Sequence, residues 1–239
     1  MGLRRPLRRP LASLVALLAL GGAGAIWAAG RTPDVAEPAV QRVVVPGLHV
    51  LPLHTPTPTP APTIRPAYRR PSFVVAPGAS VPSGPGSLRR FTVEVEEGIG
   101  IDPADFAREV EAVLWDERSW GGDGRVAFQR VSEGGSLRVL LATPDTTRSL
   151  CRPLDTGRTL SCYQHGRAVL NLYRWQNGSE YFPDLQTYRA YMINHEVGHG
   201  LGHGHVGCPG PGQPAPVMLQ QTKGLQGCTA NGWPLETER

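Results

Sequence analysis

His195-Glu196-Val197-Gly198-His199-Gly200-Leu201-Gly202-His203-Gly204-His205 holds four of the seven histidines in the 239-residue sequence, with one carboxylate between the first two. If the stretch starts on a helix, His195 and His199 are four apart and lie on one face, a turn above each other. Two imidazoles placed that way can reach one zinc ion, and Glu196 beside them can reach a water on that metal. Gly200, Gly202 and Gly204 continue a helix poorly, each costing about 1 kcal/mol relative to alanine. They end one well: Gly202 can take a positive φ, turning the chain so that His205 comes back toward the metal. His203 is the competing third ligand, since a helix that continued past Gly202 would present it four residues after His199.

Working upstream, Pro183-Asp184 begins the helix that runs into His195, with Leu185, Tyr188, Met192 and Leu201 near helical spacing as its buried face. Asn177-Gly178-Ser179 ends the strand region before it. Leu160 to Gln164 and Arg167 to Tyr173 read as two strands around His165-Gly166, a hairpin turn signal. Arg148 to Thr159 reads as irregular. Val126 to Val131 and Leu137 to Ala142 are two further strands. Asp102 as cap and Pro103 at the first helical position start a helix carrying Phe106, Val110, Val113 and Leu114 to about Glu117. Phe91, Val93 and Val95 alternate with Thr92, Glu94 and Glu96, the pattern of a half-exposed strand. The order strand, helix, strand, strand, hairpin, helix predicts an α+β fold, a mixed sheet with helices packed on it.

The rest of the chain divides by composition. Residues 1–30 have a basic start and an uncharged run from Leu11 to Ala29, the pattern of an export signal or an N-in anchor. Its 19 residues would span about 28 Å as a helix, close to the roughly 30 Å apolar thickness of a bilayer. Ala23-Gly24-Ala25 offers a cleavage site, but the apolar run continues through Ile26 and Trp27. A single-pass anchor through residues 11–29 is favoured slightly over a cleaved signal. Residues 31–86 read as a Pro/Thr-rich disordered linker, densest in Thr55-Pro56-Thr57-Pro58-Thr59-Pro60, which cannot form helix or central strand. Residues 87–239 form the folded domain.

The formal charge of +4 misleads about partners. Arg4, Arg5, Arg8 and Arg9 account for it, and from residue 88 onward 15 basic residues face 18 acidic ones. A nucleic-acid binder would carry a basic face, so none is expected. Lys223 is the only lysine. Cys151, Cys162, Cys208 and Cys228 suit an extracytoplasmic protein; of three connectivities, the sequence-near pairs Cys151–Cys162 and Cys208–Cys228 are favoured.

The histidine window resembles the metzincin zinc metallopeptidases. Their pattern His-Glu-x-x-His-x-x-Gly-x-x-His matches His195, Glu196, His199, Gly202 and His205 without a gap. Ala215-Pro216-Val217-Met218 is similar to the methionine-bearing turn that this family places beneath its metal. The segment from Met218 to Leu225 with its flanking cysteines looks like a group of uncharacterised exported bacterial proteins sharing the motif. The resemblance implies a twisted mixed sheet with two main helices, an active-site helix ended by a sharp glycine turn, and a Met-bearing loop. It implies His195, His199 and His205 as zinc ligands, with a fourth position for water. It further implies Glu196 as general base and Met218 as support from below. An edge strand in 160–173 would pair with an extended peptide substrate, and Cys208–Cys228 would clamp the Met218 loop. One position departs from the pattern: several metzincins carry a tyrosine two residues after the methionine, where this chain has Gln220. Oxyanion stabilisation would then fall to zinc, to Gln220 or Gln221, or to backbone donors.

The expected function is zinc-dependent hydrolysis of a peptide or protein substrate outside the cytoplasm. The alternative is a non-catalytic, zinc-stabilised cell-surface binding domain.

Overall fold

Asp102 and Asp184 start the two long helices for the same chemical reason. In the computed structural model, which describes residues 70–239, the Asp102 carboxylate accepts from the backbone N–H groups of Ala104 and Asp105 at 2.7 and 3.1 Å. Asp184 accepts from the N–H of Thr187 at 2.7 Å. Each cap satisfies N–H groups that the helix leaves open and contributes about 1 kcal/mol. Helix α1 spans Pro103–Leu114; the helix of the histidine window, α4, spans Leu185–Leu201. The expected signal or anchor at 1–30, and the linker as far as residue 69, lie outside the described residues.

Six strands form one mixed sheet: β1 (Phe73–Val75), β2 (Ser87–Glu96), β3 (Val126–Arg130), β4 (Leu137–Ala142), β5 (Cys162–Gln164) and β6 (Arg167–Asn171). Its order is β1-β2-β4-β6-β5, with β3 also pairing β2. The β2, β3, β4 and β6 pairings are parallel; β1 joins β2 and β5 joins β6 antiparallel. Strand β5 is therefore an edge. The β5–β6 hairpin turns on His165 and Gly166, which both take positive φ (51° and 75°), as a two-residue primed turn requires.

Helices α1 and α4 cover one face of the sheet. Phe106 and Val110 from α1, and Ile193 and Val197 from α4, join Phe91 and Val139 from the strands in the main core. The other face carries a smaller cluster of Ala142, Cys151, Cys162 and Val169 beside α2 (Pro144–Leu150). This second cover corrects the half-exposed reading of β2: Phe91 to Val95 are all buried. Glu94 faces the second layer and is satisfied there by Arg138 at 2.5 Å and by the Thr92 hydroxyl at 2.8 Å.

Three other expectations are corrected. The domain begins before residue 87: Phe73–Val75 pairs with Glu94–Glu96, and the N–H groups of Ser80 and Ser83 donate to Arg130 and Phe128 of β3. Pro77, Pro82 and Pro85 lie outside strand β1, where a missing N–H breaks no ladder bond. The second hairpin strand stops at Asn171, whose side chain accepts from the N–H of Tyr173 at 3.0 Å and opens α3 (Leu172–Asn177). The segment 148–159 is partly helical, because Thr143 and Pro144 start α2.

Among the described residues no helix is long and apolar enough to cross a membrane. The favoured cysteine pairs both form, Cys151–Cys162 and Cys208–Cys228, which fits an extracytoplasmic protein.

Candidate metal centre

Helix α4 is buried along most of its length, from Ala190 to Gly198, and it carries His195, Glu196 and His199 into the interior. Gly198 and Gly200 stay helical, and what they supply is room. A Cβ on Gly198 would stand 2.6 Å from both the Met218 sulfur and Trp120, and one on Gly200 would stand 3.1 Å from the Tyr163 ring. Gly202 ends the helix at φ 102°. The N–H of His203 then donates to the carbonyl of Gly198 at 3.0 Å, and that of Gly202 to His199, the bonding of a left-handed helix stop.

This turn separates the last two histidines. His205 comes back to the helix, with its Nε2 3.1 Å from Nε2 of His199. His203 turns away and stacks on Trp120 at 4.3 Å. Ligand atoms of His195, His199 and His205 all lie within 4.8 Å of one another, a group that could hold a metal ion.

The donor set fits zinc on two counts. Nδ1 of His195 lies 2.8 Å from the Val217 carbonyl, and Nδ1 of His199 lies 2.8 Å from the His203 carbonyl. A carbonyl only accepts, so each Nδ1 carries the proton and each Nε2 keeps its lone pair for a metal. Two nitrogens on one tetrahedral zinc at about 2.05 Å stand roughly 3.3 Å apart, close to the His199–His205 spacing of 3.1 Å.

Electrostatics favour the neutral imidazoles that ligation needs. Burial pushes His195 down to about 3, assisted by the positive charges of His199, His205 and Lys223. His199 and His205 are lowered for the same first reason, burial. Burial pushes the Glu196 carboxyl up to about 8. Glu196 makes no hydrogen bond or ion pair among the described residues, and it lines a cavity of about 390 Å³ together with the three histidines. The rest of that cavity comes from Tyr191 and Met192 on α4 and from two segments: 154–163, which takes in most of the disulfide-closed loop, and 220–223.

Met218 is 1% exposed and abuts Gly198 in the middle of the histidine window. The turn that carries it is held by residues the sequence did not single out. Tyr191, one turn before His195, donates its hydroxyl to the Leu219 carbonyl at 3.1 Å and accepts from the N–H of Gln221 at 2.9 Å. Glu238 accepts from the N–H groups of Val217 and Met218 at 2.8 and 2.9 Å. Trp120 donates Nε1 to the Asn194 carbonyl at 2.8 Å. Only Tyr191 had a readable signal, its spacing of four from His195. Of the two glutamines considered for an oxyanion, Gln220 lines the cavity. Gln221 is fully buried, with its amide donated to the carbonyls of Pro216 and Asn231.

A mixed α+β body with a trio of histidines at one cavity, His195 buried, His199 half-buried and His205 exposed, is what fold and site define. The family model described as "Protein of unknown function (DUF3152)" matches residues 62–235, and the chain belongs to that family. No curated protein and no solved structure gives a match.

Proposed function

We propose that this protein is an extracytoplasmic zinc-dependent peptidase of metzincin type, tethered by or exported through residues 1–30. One observation carries the reading. Three histidine ligand atoms lie within 4.8 Å of one another, and Glu196, a carboxylate with no other partner, lines the same cavity. Structural histidine clusters have no use for an unpaired carboxylate at 5% exposure, since burying one costs several kcal/mol.

His195, His199 and His205 would hold the zinc. When bound, zinc supplies a Lewis acid that lowers the pKa of water and polarises a peptide carbonyl. The chain's own residues do the rest. Glu196, whose ionised form a bound zinc would favour, takes a proton from the attacking water and returns it to the leaving amine. Val217 and His203 fix the tautomers of two ligands through their carbonyls. Met218 fills the space under the histidines through an apolar, polarisable contact. Gln220 stands two residues after Met218 on the cavity wall and can donate its amide to a developing oxyanion. The outer side of β5 offers backbone groups with which an extended peptide can pair.

The test is cleavage of a peptide library by the zinc-loaded full chain, beside Glu196→Gln. Cleavage by the first and none by the second is expected. Intact peptides from a folded, zinc-loaded wild type would instead favour a zinc-stabilised binding domain.

A further inference from the structure

Lys223 closes the 3-10 turn Gln221–Lys223 and lines the cavity beside Met192 and the histidines. It is the only lysine in the sequence. Arg130, Arg138 and Arg189 each hold a carboxylate, but the Lys223 ammonium makes no ion pair or hydrogen bond among the described residues. It shares that cavity with His195, His199 and His205. In solvent such an ammonium needs no partner. Once a peptide covers it, water is lost, and an uncompensated charge becomes costly.

The surrounding wall mixes apolar groups from Leu154, Leu160, Tyr163 and Met192 with polar ones from Ser161, Gln220 and Thr222, and its Asp155 carboxylate accepts from the N–H of Gly157 rather than pairing with Lys223. A cation without an ion pair on this wall matches an anionic group of a bound peptide.

We propose that this groove takes peptides bearing a carboxylate close to the bond that is cut, with Lys223 as the residue that selects it. The inference rests on the peptidase reading and names its substrate class. The carboxylate has two sources, an acidic side chain or the free C-terminus of the peptide. Selection works in both directions: a carboxylate neutralises Lys223 as water leaves, while a basic or apolar group at that position strands the charge.

The experiment uses the zinc-loaded full chain and two peptide sets. One set has both ends blocked and carries Glu, Gln or Lys at each position in turn. The other is neutral internally, with a free or an amidated C-terminus. We expect kcat/KM to be roughly 10- to 100-fold higher for one carboxylate set, and that set identifies the source. Lys223→Met should remove the preference, and Lys223→Glu should shift it to Lys peptides, with zinc stoichiometry and far-UV spectrum unchanged. The same peptides, labelled, are titrated against Glu196→Gln with and without Lys223→Met. Lys223-dependent binding of carboxylate peptides without cleavage by the wild type would sink the peptidase reading and uphold the carboxylate preference. Equal cleavage of carboxylate and neutral peptides overturns the inference and leaves the peptidase reading intact, whereas equal binding without cleavage overturns both. No cleavage and no binding overturns both.

Discussion

Nδ1 of His195 lies 2.8 Å from the carbonyl oxygen of Val217, and the N–H of that same Val217 donates to Glu238 at 2.8 Å. The first histidine of the cluster is thus oriented by a turn that is itself held by a carboxylate 21 residues further along the chain. Glu238 lies outside the stretch 62–235 that the family model covers. A partner that fixes the turn behind a metal ligand is worth roughly tenfold or more in metal affinity. Glu238→Gln should weaken zinc binding about tenfold in a chelator competition, whereas Glu236→Gln, at an exposed neighbour, should not. Equal affinities for the two variants would mean that the turn holds its shape without Glu238.

The choice of third ligand is open to direct measurement. His195→Ala, His199→Ala and His205→Ala should each lower zinc stoichiometry well below one per chain, and His203→Ala should leave it near one. His203 stacks on Trp120 instead, so its removal should cost about 0.5–1.5 kcal/mol of stability in denaturant unfolding. Metal lost from His203→Ala and kept by His205→Ala would reverse the assignment.

Two glycines of the window make opposite predictions. Gly198→Ala would bring a methyl to 2.6 Å from the Met218 sulfur and from Trp120, and should cost about 1–3 kcal/mol by overpacking. At Gly204 a Cβ would meet nothing within 4 Å, so Gly204→Ala should unfold within about 0.5 kcal/mol of wild type. Urea midpoints for the two variants check the contrast.

For the metal-free protein, two shifts set the pH dependence of stability. His195 falls to about 3 when folded, from an ordinary value near 6.5, so the folded state binds fewer protons in between. Its contribution is fully present above about 6.5 and is lost as pH falls toward 3. Glu196 rises from 4.5 to about 8, so its contribution is full below 4.5 and is lost as pH climbs to 8. Metal-free stability should therefore peak between these limits and decline by pH 8. Glu196→Gln should abolish the alkaline decline, and zinc should reduce it by favouring the ionised carboxylate. Thermal midpoints from pH 4 to 9, with and without chelator, give the answer; an unchanged alkaline limb in Glu196→Gln would place its cause elsewhere.

What could be read without coordinates was local chemistry. Asp102 and Asp184 announce their helices because a cap is a bond between near neighbours, and Gly202 announces its turn because few residues tolerate that backbone. His165-Gly166 marks its hairpin for the same reason. Strand β1 was illegible because three residues between prolines carry no period, and it exists only through its pairing with Glu94–Glu96. Helix α3 was hidden because Leu172 and Tyr173 prolong a strand-like run; the Asn171 cap was its only signal. Glu238 and Trp120 were beyond reach altogether, since each acts across a long separation in sequence, where pattern carries no information.

Neither cross-link involves helix α4. Cys151–Cys162 closes the loop that contributes Leu154 and Thr156 to the cavity, and Cys208–Cys228 brackets the segment bearing Met218 and Lys223. In a reducing compartment the helix can still form with two of its histidines, but the segments around them lose their covalent closure. The walls on either side of the helix are thus covalently closed only where both disulfides form, which an oxidising space permits.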